Sequence, residues 1–346
     1  MKKKNVLIIG SGARVQKTIL PALACLSDVF SLMGIYSRRK KQVVIPGKRT
    51  PITTMTDMTE IDFRRVDMII VAIIPAQVLS VLKCLVAYDV HHCTLFLDTP
   101  VLPPKDIGGL RLLSRFGHTF VSEDYIGMTS FNTVYDLIQR GSIGKLRYIY
   151  LFHSGYNYHA LALLKKLTSS SYIRSVRLVR RNEEVFETHV FFPNDVRATI
   201  LGPRDYSVGR FLVVGEKGSI ADYPIHSTLI NTLHYIHRNN IYRGIRVTGG
   251  VEASVLMENK LYRTLSSQFI DRTTLNCQKI EGFMRLLMSS LKTKPRFAYS
   301  SHQAIYDSII SFIVDKTSFF FDFRLPLGSD SMAQRVIRVA SALLPV

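Results

Sequence analysis

The sequence predicts an α/β protein with a doubly wound parallel sheet at the N-terminus and a C-terminal α/β domain whose open sheet is mostly antiparallel. Three observations support this fold class. Apolar runs alternate with helical segments over the first third of the chain, as they do in parallel sheets. Strand-like runs then follow one another without helices between them. With 346 residues, of which 47% are hydrophobic, the chain is large enough for two cores.

The first domain, residues 1–122, is predicted from its regular alternation of strands and helices. The run "NVLII" at 5–9 is apolar throughout, which is typical of a strand buried on both faces of a parallel sheet. "GSG" ends this run, and Val15, Ile19 and Leu23 in the next segment can share one helical face. The same reasoning predicts strands at 30–37, 66–74, 93–98 and 118–124, and helices at 76–90 and 108–117.

The second domain, residues 123–346, begins with a predicted helix that Gly141 closes. A strand over 145–155 and a helix over 158–167 follow. A largely antiparallel sheet is then indicated by strand runs separated by turns, at 175–179, 184–193, 196–203 and 209–220. Helical periodicity returns near the C-terminus, at 277–293 and 302–318.

The composition is strongly basic, with 45 Lys and Arg residues against 26 Asp and Glu residues and a net charge of +19. This balance favours phosphorylated cofactors, nucleic acid or anionic membrane surfaces as partners. No helix-turn-helix, RNA-recognition or zinc-finger pattern is present, so nucleic acid is the less favoured partner despite the charge.

The cysteines and the hydropathy pattern indicate the compartment. The four cysteines are scattered without a CxxC pair, so neither a disulfide framework nor a metal site is predicted. No apolar run of about 18 residues occurs, so we expect no spanning helix and no membrane association. The N-terminal apolar run is too short for a secretion signal, and we expect a cytoplasmic protein.

A glycine-rich turn joins the first predicted strand to the first helix. It consists of Gly10, Ser11, Gly12 and Ala13. At this place in a Rossmann fold, glycine lets the backbone approach a pyrophosphate at a helix N-terminus. Val15 stands where the third glycine of the full GxGxxG pattern would be, so the motif is incomplete.

Four motifs in order carry a wider resemblance: "VLIIGSGARVQKTILPAL", then "VDMIIVAIIPAQVLSVLKCLVAYDVHHCTLFLDTP", "IQRGSIGKLRYIYLFHSG" and "GRFLVVGEKGSIAD". Together they resemble the glucose–fructose oxidoreductase and inositol dehydrogenase family of NAD(P)-dependent enzymes, over residues 4–325. The resemblance implies an N-terminal Rossmann domain, a nicotinamide in the cleft between two domains, a small-molecule substrate and a homo-oligomer.

The end of the second strand bears on the choice of cofactor. An acidic residue there favours NAD, because it accepts hydrogen bonds from the ribose 2′-hydroxyl. This chain has Ser37, Arg38 and Arg39, which would offer donors and positive charge to a 2′-phosphate. We therefore expect NADP(H) as the cofactor, with NAD as the weaker alternative. The other interpretation of Arg38 and Arg39 is that they are ordinary surface arginines. Ile74 and Pro75 would line the wall beside the riboses.

The catalytic positions depart from the family. Its members use the lysine of a Glu-Lys-Pro motif, and the matching triplet here is Asp98, Thr99 and Pro100. Thr99 can hydrogen-bond to a nicotinamide ribose but cannot act as a general acid near neutral pH. Lys105 lies too far past the prolines to replace the missing lysine.

The family's later Asp-x-x-x-His pattern matches "GYNYH", where His159 keeps the histidine and Gly155 replaces the aspartate. His159, Thr99 and Tyr158 are therefore the candidate catalytic residues. His159 could instead simply pack its helix. Glu123, Asp124 and Tyr125 follow the sixth strand and would edge the cleft, although such carboxylates are usually only solvated.

Three functions remain open on these residues. The favoured one is an NADP-dependent oxidoreductase, acting as a reductase of a small carbonyl or imine with a non-standard catalytic set. The second is a noncatalytic, dinucleotide-binding or regulatory protein of the same fold, which the missing lysine and aspartate favour. A polyanion-binding protein is third.

Overall fold

The computed structural model describes residues 3–47, 50–153, 157–180, 186–203, 209–223, 230–238, 241–247, 251–253, 274–292, 299–316 and 321–324. The chain divides into two compact units: residues 1–127, 238–242 and 256–304 form the first, and 128–237, 243–255 and 305–346 form the second. The predicted domain boundary after residue 122 therefore lies near the end of the first segment. The sequence pattern gives no sign that a later segment joins the first unit.

The described strands of the first unit are β1 (Lys4–Ile9), β2 (Phe30–Tyr36), β3 (Gln42–Val43), β4 (Ile52–Thr53), β5 (Met68–Val71), β6 (Thr94–Asp98) and β7 (His118–Ser122). Five of them form a sheet in the order β2-β1-β5-β6-β7, and all four pairings are parallel. In β1, Val6 to Ile9 are at most 1% exposed. This continuous burial is the expected property of a strand covered on both faces.

The helices of the first unit follow the predicted periodicity, with local differences. Helix α1 begins as a π-helical segment, Val15–Ile19, and continues as an α-helix, Leu20–Cys25. Helix α2 is Pro75–Leu85, shorter than the predicted 76–90. The helix predicted at 108–117 is a 3₁₀ helix, Pro104–Arg115. The adjacent prolines at its start and the Gly108-Gly109 pair weaken α-helical propensity there.

The second unit contains the predicted mostly antiparallel sheet. Its ten described strands lie in the order β16-β15-β14-β13-β12-β8-β11-β10-β9-β17. Only the β8–β11 and β13–β14 pairings recorded for these residues are parallel. The strands are β8 (Leu146–Phe152), β9 (Ser175–Arg180), β10 (Phe186–Phe191), β11 (Arg197–Gly202), β12 (Arg210–Gly215), β13 (Ser219–Ala221), β14 (Ile230–Arg238), β15 (Ile241–Val247), β16 (Val251–Ala253) and β17 (Phe321–Arg324).

Helices α3 (Thr129–Gln139) and α4 (Asn157–Thr168) pack beside this sheet, with α4 against β8 and β11. Gly141 follows α3 with a φ of 72°, as its predicted role in ending the helix requires. The alternate residues Ile149 and Leu151 of β8 are at most 1% exposed. Alternate residues of a strand point to opposite faces, so this face of the sheet is the covered one.

Two further helices are described, α5 (Thr274–Ser290) and α6 (Ser301–Lys316), and both were predicted. Helix α5 packs in the first unit, on α1 and on the 3₁₀ turn Asp124–Gly127. Glycines allow this close approach, because a Cβ on Gly127 would lie 2.5 Å from the carbonyl oxygen of Gly282. Helix α5 therefore supports the residues that directly follow β7.

Among the helices that the structure describes, none combines the length and the apolar composition that crossing a bilayer requires.

Candidate functional site

A groove of about 1160 Å³ lies at the carboxyl ends of the parallel strands in the first unit. It is lined by residues 9–14, 36–39 and 72–75, which lie at or directly after the ends of β1, β2 and β5, and by Asp98, the last residue of β6. Doubly wound sheets bind their ligands at this edge, where the strand order changes direction. The groove brings together nine predicted cofactor residues: Gly10, Ser11, Gly12, Ala13, Ser37, Arg38, Arg39, Ile74 and Pro75.

The two glycines of the turn have different roles. Gly10 has a φ of 121°, and a Cβ there would lie 2.2 Å from the carbonyl oxygen of Ala72. The fold itself therefore requires glycine at residue 10. A Cβ on Gly12 would meet nothing within 4 Å. Since Gly12 also lines the groove, its bare backbone leaves room for a ligand rather than for a neighbouring element.

Positive charge gathers at the end of the groove that follows β2. Arg38, Arg39 and Lys41 all line it. With its amide oxygen turned toward Arg38, Gln77 of α2 accepts hydrogen bonds from both terminal nitrogens, at 2.7 and 3.1 Å. Ser37 is only 8% exposed, and its hydroxyl donates a hydrogen bond to the carbonyl oxygen of Arg39 at 2.6 Å. Ser37 thus shapes the turn, while the guanidinium and ammonium groups supply the charge.

One carboxylate missed in the sequence also lines this end. Asp57 precedes a short 3₁₀ helix and accepts a hydrogen bond from the backbone N–H of Thr59 at 2.8 Å. That backbone hydrogen bond lowers the pKa of Asp57, which keeps it ionised. Asp57 follows β4 rather than β2, so the end of β2 itself still carries no acid, as the sequence indicates.

The apolar wall of the groove includes Ile74 and Pro75. Ile74 is 59% exposed and extended, and Pro75 begins α2. Proline suits the first position of a helix, because its missing N–H would have no helical partner there. An exposed isoleucine in a groove is a contact that a bound ring system can cover.

Strand β6 ends at Asp98, Thr99 and Pro100 follow it directly, and the Thr99–Pro100 peptide bond is cis. Among the described residues, the groove lining includes Asp98 but neither Thr99 nor Pro100. Both are partly buried. The contact predicted between Thr99 and a nicotinamide ribose stays a prediction.

Arg14 joins the carboxyl ends of three strands. Its Nε donates to Asp98 Oδ1 at 3.2 Å, and its Nη1 donates to Asp124 Oδ2 at 2.6 Å. Its Nη2 donates to the hydroxyl of Ser122 at 3.2 Å. The guanidinium also lies 5.7 Å from the ring centre of Phe283 on α5. We call Arg14, Asp98, Ser122 and Asp124 the Arg14 cluster.

Burial and neighbouring charges shift the pKa values of Asp98 and Arg14. Burial, and then the negative charge of Asp124, raise the pKa of Asp98, against the opposing charge of Arg14 and a hydrogen bond from Ser122. Burial alone would lower the pKa of Arg14, but Asp124 and Asp98 outweigh it and raise that pKa. Arg14 is therefore a permanent cation shared by two carboxylates.

The remaining predicted catalytic residues belong to the second unit. His159 and Tyr158 lie on α4, with ring centres 4.2 Å apart. His159 is 9% exposed. Gly155, which stands at the family's aspartate position, lies outside the described residues. Thr99 and His159 are thus parts of different units, and their joint role stays a prediction.

Arg14, Lys41 and Gln77 line the groove but were not predicted from the sequence, and neither were Ser122 and Phe283 as neighbours of Arg14. Arg14 directly follows the glycine turn, and this position was the only available signal for it. The sequence predicts Asp124 at the edge of the cleft, at a position where a carboxylate is usually only solvated. The structure instead buries its side chain, which is 3% exposed and accepts a hydrogen bond from Arg14.

Comparison with known proteins identifies the fold. No family model matches the sequence, and no curated protein sequence matches it significantly. Solved structures do match. A myo-inositol dehydrogenase from Corynebacterium glutamicum ATCC 13032 is similar with a TM-score of 0.63 and 11% identity, over 94% of this chain and all of that one (100%).

Two other matches were solved with bound dinucleotide. An oxidoreductase from Agrobacterium radiobacter, in complex with NAD⁺, L-tartaric acid and magnesium, has a TM-score of 0.63 and 11% identity, covering 93% of this chain and 98% of that one. An inositol dehydrogenase homologue from Azotobacter vinelandii, complexed with NAD⁺, has a TM-score of 0.59 and 10% identity, with coverages of 93% and 98%. The chain therefore shares the fold of these oxidoreductases, as its ordered motifs predict.

The groove residues fit a nicotinamide dinucleotide. The open space at Gly12 suits the close approach of a pyrophosphate, and the cations after β2 suit further phosphate. Ile74 adds an exposed apolar surface to the lining of the same groove.

Proposed function

We propose that the protein is an NADP(H)-dependent oxidoreductase that reduces a carbonyl or imine of a small metabolite. The observation that carries the proposal is the groove itself, whose lining combines the glycine turn with Arg38, Arg39 and Lys41. The fold shared with NAD⁺-bound oxidoreductases supports a nicotinamide dinucleotide in this groove. The three cations favour the cofactor with the additional 2′-phosphate.

The chain's own residues divide the work of binding. Gly12 leaves its backbone open to the pyrophosphate, and Arg38 is held toward the groove by Gln77. Ile74 and Pro75 supply the apolar wall beside the riboses. When bound, the nicotinamide ring supplies a hydride. In this proposal Thr99 orients the nicotinamide ribose through its hydroxyl, and His159 with Tyr158 polarises the substrate.

Cofactor choice is tested by titrating NADPH and NADH into the wild type and the Arg38→Ala variant. Losing a charge-assisted phosphate contact costs about 1–3 kcal/mol, so the NADPH Kd should rise about 5- to 150-fold while that of NADH stays unchanged. Arg64→Ala is the matched control, because Arg64 is an exposed arginine that pairs with Asp62 and lies outside the groove lining. Equal wild-type affinities for NADPH and NADH would contradict the preference.

A noncatalytic dinucleotide-binding protein is the second candidate, and Thr99 in place of the family lysine favours it. Turnover decides between the two. The wild type and the Thr99→Val and His159→Ala variants would be assayed with NADPH on 2-oxo acids, sugars and cyclic imines. Binding of NADPH without reduction of any of them by the wild type would favour the noncatalytic protein.

We also propose that two copies pair through the outer face of the second unit's sheet. Tyr148, Tyr150 and Phe152 occupy alternate positions of β8 and stack with ring centres 6.4 and 6.1 Å apart. Tyr148 is 40% exposed. A row of partly exposed aromatic rings on a sheet face is typical of a surface that another protein covers.

Light scattering tests this pairing. Tyr148→Glu should give a monomer, whereas Phe312→Glu, at another exposed aromatic residue (41%), should leave the assembly unchanged. A monomeric wild type would contradict the proposal.

A cytoplasmic location is the last part of the proposal. The four cysteines are all free thiols, and Cys84 is exposed. Burial raises the pKa of Cys25 and of Cys93 to about 12, which makes both of them unreactive. Free thiols of this kind suit a reducing compartment. A fluorescent fusion that appeared outside the cytoplasm would contradict this location.

A further inference from the structure

Two members of the Arg14 cluster, Arg14 and Asp98, line the groove without a role in the binding proposed above. Asp98 lies at the end of β6, three strand positions from β2, where the cations stand. Neighbouring strands are about 4.8 Å apart, so these two ends of the groove are separated by about 14 Å. A dinucleotide whose adenosine lies at β2 and whose pyrophosphate lies at Gly12 would extend its nicotinamide toward β6. Asp98 is the carboxylate of the lining at that end.

The charges of the cluster do not balance. One guanidinium serves two carboxylates, so the fully ionised cluster carries a net negative charge in a largely buried place. The Asp124 side chain is 3% exposed, and that of Asp98 is 16% exposed. Burial and the neighbouring charge of Asp124 both favour the protonated form of Asp98. Of the two, Asp98 is the one that reaches the groove.

We infer that Asp98 is the proton donor of the reaction, in place of the lysine that Thr99 lacks. Asp98 gives its proton to the substrate's carbonyl oxygen as the π bond to carbon breaks and the carbon accepts the hydride, with its electron pair, from the reduced cofactor. The products are an alcohol, the oxidised cofactor and the Asp98 carboxylate. The carboxylate takes up one proton from the solvent before the next turnover, so each reduction consumes one solvent proton. The inference rests on the proposed function, from which it takes the hydride donor.

Each neighbour of Asp98 has a defined effect on its proton. Arg14 stabilises the carboxylate that remains after donation, whereas Asp124 opposes it and so favours the protonated form. Ser122 hydrogen-bonds to Asp98 as well as to Arg14.

The surrounding elements contribute further charged groups. Glu123 accepts a hydrogen bond from the backbone N–H of Tyr125 at 3.2 Å. Lys279 of α5 lies over the ring of Tyr125, at 5.4 Å. On the same helix, Glu281 pairs with Arg285 at 2.9 Å, and Phe283 faces Arg14. Asp124 does not line the groove, and Arg14 is a permanent cation, so both are positioning residues. Only Asp98 would transfer the proton.

The proton on Asp98 can be observed without turnover, by ¹³C NMR of the whole protein carrying labelled aspartate side chains. Asp98→Asn identifies the Asp98 signal, which should titrate above the ordinary aspartate range. The signal of Asp222 has to be told apart from it by Asp222→Asn, because burial raises the pKa of Asp222 to about 6. In Asp124→Asn the Asp98 midpoint should move to lower pH, since one negative charge is removed. An Asp98 signal in the ordinary range, or a midpoint that Asp124→Asn leaves in place, would overturn the inference.

Kinetics separate this inference from the proposed function. Asp98→Asn should bind NADPH within about twofold of the wild type but lose about 10²- to 10⁴-fold in turnover, the usual contribution of a positioned acid. Asp222→Asn is the matched control and should keep wild-type turnover. Turnover that survives in Asp98→Asn, with NADPH binding intact, would overturn the donor role alone. Failure of the wild type to bind NADPH would overturn the proposed function, and the donor role with it.

Discussion

Each unit of the protein buries an ionic cluster, and the two clusters are built differently. In the second unit, Lys165 donates to Asp307 at 2.5 Å, and both side chains are 0% exposed. The ring of Tyr306 lies 5.1 Å from the ammonium group. In the first unit, Arg14 serves two carboxylates, remains 23% exposed and borders a groove.

The difference distinguishes an ion pair that stabilises the fold from a charged cluster that can take part in a reaction. We call Lys165 and Asp307 the sealed pair. It has one charge of each sign and is closed to solvent and to ligands, so it exchanges no protons, and its role is to hold α4 and α6 together. A cluster with excess negative charge beside a groove has both a proton to exchange and a route to a substrate. Burial of charge alone would not distinguish the two, because perturbed groups occur in structural networks as well as in active sites.

The largest effect is expected from breaking the sealed pair. Lys165→Met leaves Asp307 buried without its cation, which should cost about 3–5 kcal/mol of the free energy of unfolding. Removing both charges, in Lys165→Met with Asp307→Leu, should recover most of that loss. Denaturant unfolding measures both values.

Breaking the sealed pair should leave NADPH binding unchanged. Folded Lys165→Met should bind NADPH like the wild type. A change in NADPH affinity without a change in unfolding free energy would show that the sealed pair serves the ligand instead.

The groove should show the opposite behaviour. Gly12→Val introduces a branched side chain into open space, so the free energy of unfolding should stay close to that of the wild type. NADPH affinity should nevertheless fall at least about 100-fold, because the side chain occupies the place of the pyrophosphate. Gly10→Ala is the contrasting variant, because its Cβ meets the backbone of Ala72 and should destabilise the fold. Unchanged NADPH titration of Gly12→Val would mean that the turn holds no phosphate.

A smaller effect is expected at Asp222 of the second unit, which accepts a hydrogen bond from the backbone N–H of Phe211 at 2.8 Å. Burial raises its pKa to about 6, against about 3.9 in an unfolded chain. The folded state therefore binds the proton more tightly, and stability is lost as pH rises through this window. Asp222→Asn should be more stable than the wild type by about 1–3 kcal/mol at pH 8, with a difference that shrinks below pH 4. The same difference in unfolding free energy between Asp222→Asn and the wild type at pH 8 and below pH 4 would contradict this.

Local patterns made most of the fold predictable from the sequence. The buried run of β1, the glycine turn and the alternation of strands and helices each depend on residues close together in the chain. Helix α5 shows where this reasoning stops. Its periodicity predicts a helix, but its packing in the first unit depends on the match between Gly282 and Gly127, which no local pattern reveals.

The candidate site was predictable to a similar extent. The glycine turn and the arginines after β2 are each a short run of neighbouring residues, so local patterns indicated both. The Arg14 cluster was not, because Arg14 is 84 residues from Asp98 and 110 from Asp124. The sequence also could not show that Asp98, rather than Thr99, would line the groove.

A crystal structure of the protein with NADP⁺ would show whether one dinucleotide site runs from the cations after β2 to Asp98. We expect the 2′-phosphate within hydrogen-bonding distance of Arg38 or Arg39, the pyrophosphate against Gly12, and the nicotinamide at the end of the groove that Asp98 lines. Density for the dinucleotide outside this groove, or in the reverse orientation within it, would contradict this placement.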